Sequence, residues 1–134
     1  MAMARARDAF LIDANVLVNA VAADEAGESC RALLAAVASG EIEGVCSTAV
    51  MEEVWHLELS GRIEGMEGQT ARAHALLAPL LPVTDETFAA ALRVDAPGRL
   101  GANDRIHVST CVQHGLTAIL SSDRGFDEQR AVER

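Results

Sequence analysis

Four acidic side chains, Asp13, Glu53, Asp104 and Asp123, occupy positions suited to metal chemistry. Asp13 directly follows the apolar run Ala9-Phe10-Leu11-Ile12, and Asp123 closes Ala118-Ile119-Leu120-Ser121-Ser122, so both lie at the ends of short buried strands. Aspartate is also a common turn residue, and for either acid alone the two readings weigh equally. Asp104 is more telling, since a helical wheel places it within about 80° of Val108, Cys111 and Val112. A carboxylate on an apolar stripe needs a capping role, an ion pair or a metal, and Asn103 could serve as the cap equally well. Glu53 borders the stripe of Val50, Val54 and Leu57 at about 60° from Val50, whereas Glu52 points away and Glu58 falls near the helix end. Carboxylates gathered at one place raise one another's pKa. A hard divalent cation with oxygen ligands, Mg²⁺ or Mn²⁺, removes that conflict.

The charge of the whole chain makes such a cation more significant. In 134 residues the formal net charge is −9, half the residues are apolar and aromatics are 3%. This composition suits one domain, residues 1–134, with a single core. An acidic protein does not attract a polyanion at long range, and so few aromatics give no stacking platform for single strands. A nucleic-acid substrate therefore requires a local reversal of sign, which one or two bound cations supply. All eleven basic residues are arginine. Uninterrupted apolar windows stay well short of the length that spans a membrane. The opening Met1-Ala2-Met3-Ala4-Arg5-Ala6-Arg7-Asp8 has no apolar segment of a secretory signal, and Cys30, Cys46 and Cys111 are odd in number and widely spaced. Together these features predict reduced, mostly buried thiols and a cytoplasmic location.

Strands and helices alternate along the chain. After the first strand, a short helix is predicted from Asn15 to about Ala23, and a second from Glu25 to Ser39, stopped by Gly40. Val45-Cys46 centres a second strand, followed by a helix over Thr48 to Ser60 and a break at Gly61, Gly65 and Gly68. Thr70 to about Ala78 forms another helix, Leu80 to Val83 a third strand despite Pro82, and Asp85 to about Val94 a helix closed by Pro97-Gly98. A last helix runs from Asn103 to Gly115 and a fourth strand covers Ala118-Ile119-Leu120. This order predicts an α/β fold with a parallel sheet covered on both faces, and ligands bind beyond the carboxyl ends of such strands.

With those elements in place, Leu11-Ile12-Asp13-Ala14-Asn15-Val16-Leu17-Val18 resembles the opening motif of PIN-domain nucleases. Glu53-Val54 is similar to the family's second acid, Asn103-Asp104-Arg105-Ile106-His107 to the helix start with the third, and Leu120-Ser121-Ser122-Asp123-Arg124-Gly125-Phe126 to the final motif. Four motifs in order span nearly the whole chain, and its size resembles the VapC toxins of toxin–antitoxin pairs. The resemblance implies a three-layer α/β/α sandwich around four or five parallel strands. It also implies Mg²⁺- or Mn²⁺-dependent cleavage of RNA, a small cognate antitoxin and a homodimer. Asp13 and Asp104 would hold the principal ion, with Asp123 and Glu53 completing a second site or accepting protons. Asn15 and Ser121 match positions that orient the metal site through hydrogen bonds, Ser121 standing where Thr is usual. Ala14 replaces a frequent Thr or Ser. Arg105 and Arg124 each follow a site acid and could contact phosphate, or simply pair with neighbouring acids.

Other candidates weigh less. His107, Cys111 and His114 share a helix side, but Cys111 suits the core with the histidines at its edge better than it suits a closed zinc tetrahedron. Gly61, Gly65 and Gly68 lack the spacing and the lysine of a phosphate loop. The helix with Leu33, Leu34 and Val37 and the helix with Trp55 are candidate walls of a groove for a partner helix. Two further readings stand beside the toxin: a weakly active binding protein of the same fold, and a housekeeping RNA-processing nuclease.

Overall fold

A computed structural model describes residues 8–95, 98 and 100–121. In chain order these form β1 (Ala9–Ile12), α1 (Ala14–Asn19), α2 (Glu25–Ala38), β2 (Glu43–Val45), α3 (Thr48–Ser60), α4 (Gln69–Leu77), α5 (Asp85–Ala91), α6 (Ala102–His114) and β3 (Ala118–Leu120). Among the described residues the sheet has three strands in the order β2-β1-β3, all parallel. Leu11 stands opposite Val45 on one side and Ile119 on the other. β1 is thus the central strand, paired on both edges, which is why its four residues are almost wholly apolar.

Local chemistry accounts for the helix limits. Ser47 caps α3 by accepting from the Val50 N–H at 3.1 Å, and Gly61 ends that helix in the left-handed region at φ 67°. Thr84 and Thr87 form a capping box at the start of α5. α2 starts at the Asp24 cap, which accepts from Gly27. A Cβ on Gly27 would fall 2.0 Å from the Ala22 carbonyl oxygen, so only glycine lets α2 begin so close to the preceding loop.

The expected third strand is corrected to a single parallel bridge between Ser47 and Leu81. Leu81 donates to the Cys46 carbonyl and accepts from the Thr48 N–H, but Pro82 has no N–H with which to extend the ladder. The second strand ends at Val45, one residue short of its expected centre pair, and α1 ends at Asn19 rather than near Ala23.

The core lies where the sheet meets α1, α3 and α6, with Leu11, Ile12, Leu17, Val50, Val54, Val108, Cys111 and Ile119 fully buried. Ser47 is equally buried and holds the start of α3 against the end of β2. Ser47→Ala is expected to lower stability by about 0.5–2 kcal/mol, read as a shift in urea midpoint at unchanged slope.

Candidate functional site

The carboxyl ends of β1 and β3 and the inner faces of α3 and α6 meet at Asp13. This residue leaves the central strand, caps α1 by accepting from the Ala14 N–H at 2.9 Å, and is 5% exposed. Its Oδ2 accepts from the Ser121 hydroxyl at 2.7 Å, and the Ser121 oxygen accepts from the Asn15 side-chain amide at 3.0 Å. The two residues proposed as orienting groups therefore form one chain of donors ending on Asp13.

Glu53 reaches the same place from α3. It is half-buried, while Glu52 beside it is exposed, as the helical wheel requires. Its Oε1 lies 2.9 Å from Nε2 of His107, and that nitrogen is also 3.8 Å from Oδ1 of Asp13. One donor atom from each of Asp13, Glu53 and His107 can be chosen so that all lie within 4.8 Å of one another. Two carboxylates at that separation fit the small coordination shell of a hard divalent cation.

Asp104 sits half-buried in the first turn of α6, close enough for its charge to act on His107. It is not a member of the tight trio of Asp13, Glu53 and His107. Asp123 and Arg124 lie outside the described residues. Arg105 donates from Nε to the Leu100 carbonyl at 3.0 Å and from Nη1 to the Val94 carbonyl at 3.1 Å. These donors brace the α5–α6 connection.

Burial dominates the Asp13 carboxyl and raises its pKa above the ordinary carboxylate value. The Ser121 hydrogen bond, the His107 charge and the Ala14 N–H oppose that rise, and the Glu53 charge adds to it. For His107, burial disfavours the charged form, but the hydrogen bond to Glu53 and the charges of Glu53, Asp13 and Asp104 outweigh it. Its pKa lies above the ordinary imidazole value. Beneath the site, burial pushes the Cys46 thiol up to about 12, and Cys111 likewise. All three cysteines are free, Cys46 and Cys111 buried and Cys30 half-buried.

His107 is the residue that sequence reasoning missed, having assigned it to the edge of the core. It is fully buried, and its position at the border of the Val108–Cys111 stripe is the same signal that singled out Glu53. A cleft of ≈ 400 Å³ opens beside Glu53, lined by Ala49, Glu52, His56, Leu57 and Asn103. It leads from solvent to the half-buried carboxylate. Exposed Trp55 and Leu59 lie on the same helix, and among the described residues no helix is long and apolar enough to cross a membrane.

Comparison with known proteins gives this arrangement a context. The family model described as PIN domain matches residues 10–132. Ribonuclease VapC13 of Mycobacterium tuberculosis is 28% identical over 131 residues, covering 93% of this chain and 98% of the relative. Among solved structures, VapBC2 from Rickettsia felis, bound to a DNA fragment from its promoter, superposes with a TM-score of 0.72 at 13% identity, covering 93% of this chain and 96% of that one. M. tuberculosis VapC20, a toxin that cleaves the sarcin–ricin loop, gives 0.66 at 15% identity, covering 93% and 99%.

Proposed function

The chain belongs to the PIN domain family, and from that premise we propose that it is a divalent-cation-dependent endoribonuclease, the toxin of a toxin–antitoxin pair. The observation that carries this reading is the convergence of the buried Asp13 with Glu53 at the end of the central strand. Two acids so close, in a strongly acidic protein, call for a cation. Similarity to ribonucleases and toxins over nearly the full length supports RNA as the substrate.

Asp13 and Glu53 would hold Mg²⁺ or Mn²⁺, with Asp104 and Asp123 completing the acidic set. When bound, the cation supplies Lewis acidity and lowers the pKa of a water for in-line attack on phosphorus. The protein's own part is positional. Ala14 N–H and the Ser121 hydroxyl fix the Asp13 carboxylate, and Asn15 fixes Ser121. The cleft beside Glu53 gives a phosphodiester its approach. The partner set of this reading is an RNA substrate, a small cognate antitoxin and a second copy of the chain.

Purified protein is expected to cut cellular RNA with Mn²⁺ and to stop on chelation, leaving 5′-phosphate and 3′-hydroxyl ends. Expression alone should arrest growth, and co-expression of the antitoxin should relieve it. Tight binding of an antitoxin by a protein that leaves RNA intact at any cation concentration would overturn the nuclease in favour of a binding protein.

A further inference from the structure

His107 lies outside the set of acids, yet it touches two of them. We propose that His107 is a positioning residue of the cation site: its Nε2–H holds the Glu53 carboxylate in place, and the imidazole itself is not a ligand. The inference rests on the cation reading above and deepens it.

The donor inventory of the ring decides between ligand and brace. Nε2 lies 2.9 Å from Glu53 Oε1, a normal length for a charge-assisted hydrogen bond. Nδ1 is fully buried and has no hydrogen-bond partner. An imidazole that binds a metal through one nitrogen normally donates its other N–H to a carbonyl, carboxylate or water. Ligation through Nε2 would break the contact with Glu53 and remove the donor from that carboxylate. Ligation through Nδ1 is excluded by position, because Nε2 is the atom that faces both carboxylates. Carrying its proton on Nε2, the ring satisfies one oxygen of Glu53 and leaves the carboxylate's other lone pairs available.

The packing fits a brace. α6 is buried at five consecutive positions, His107 to Cys111, so the ring cannot swing away. Glu53 is partly exposed at the mouth of the cleft and, lacking the imidazole, would sample other rotamers. A fixed ring thus gives a mobile side chain a single orientation.

The test is Mn²⁺ binding by calorimetry, together with pulsed electron paramagnetic resonance of the Mn²⁺-loaded protein. His107→Leu should weaken Mn²⁺ binding about ten- to a hundredfold. His107→Gln, whose amide N–H can take the place of Nε2–H, should restore most of it. The wild-type spectrum should lack any imidazole-nitrogen modulation that disappears in His107→Gln. Such a modulation would establish direct ligation and overturn the brace, even if the Leu variant failed to fold. Unchanged affinity in folded His107→Leu would overturn it too, while leaving the cation site standing. Failure of the wild type to bind Mn²⁺ would instead remove the cation reading and this inference together.

Discussion

Asp13→Asn is expected to reduce RNA cleavage by at least about a hundredfold while leaving the fold as stable as the wild type or more so. The two halves of that expectation have one cause. Asn matches Asp in size, and its side-chain oxygen can still accept from the Ala14 N–H that caps α1. It replaces the oxygen that accepts from Ser121 with an amide donor, and it removes a charge held at 5% exposure, which burial already disfavours, raising the Asp13 pKa. Without a cation the substitution therefore relieves a cost. With Mn²⁺ it takes away the most buried acid among the described residues. Cleavage of cellular RNA and thermal melts in chelator, on the same preparations, measure both. A variant that cuts at the wild-type rate would identify the activity as a contaminant's. A variant that is inactive because it has unfolded would assign Asp13 a structural role.

The second large effect is a dependence of stability on pH that added cation opposes. The folded state raises the Asp13 pKa above its ordinary 3.8, so in that window the native protein binds more protons than the unfolded chain. Stability from this group falls as pH rises through the folded value. The folded state also raises His107 above its ordinary 6.5. The stabilisation from that group is complete below 6.5 and is lost as pH climbs through the folded value. Both signs agree, so the cation-free protein should lose stability from weakly acidic to alkaline pH. Mn²⁺ competes with protons for the same carboxylates, so the stability it adds should grow over that range. At a cation concentration a hundredfold above Kd the gain is about 2.7 kcal/mol. Urea midpoints at several pH values, with Mn²⁺ and with chelator, read the two slopes. Parallel slopes would mean that cation binding does not involve these groups.

The legible parts of the molecule were those set by neighbours in the chain. α3 starts and stops where Ser47 and Gly61 put its ends, and the wheel correctly turned Glu53 inward and Glu52 outward. Asp13, Asn15 and Ser121 came together as their motifs implied. Two failures came from longer-range effects. Leu80 to Val83 has the apolar character of a strand, but a ladder needs N–H donors on consecutive turns of pairing, and Pro82 supplies none. On α6 the argument assumed one buried stripe. Instead Ser109 and Thr110 are buried along with Val108 and Cys111, while Val112, placed on the stripe, is 58% exposed. A helix buried at every position from His107 to Cys111 has no single buried face, so the border position of His107 read as the edge of the core.

The sheet order also bears on when a nascent chain becomes dangerous to its maker. β1 is made before β3, which covers its second edge, and the Ser121 hydroxyl that steadies Asp13 is 108 positions further along. Loop closure over so long a span comes late, after local helices have formed. A partly translated polypeptide therefore carries Asp13 and Glu53 without the framework that aligns them. Asp13 is held from both sides only once β3 and Ser121 have joined β1.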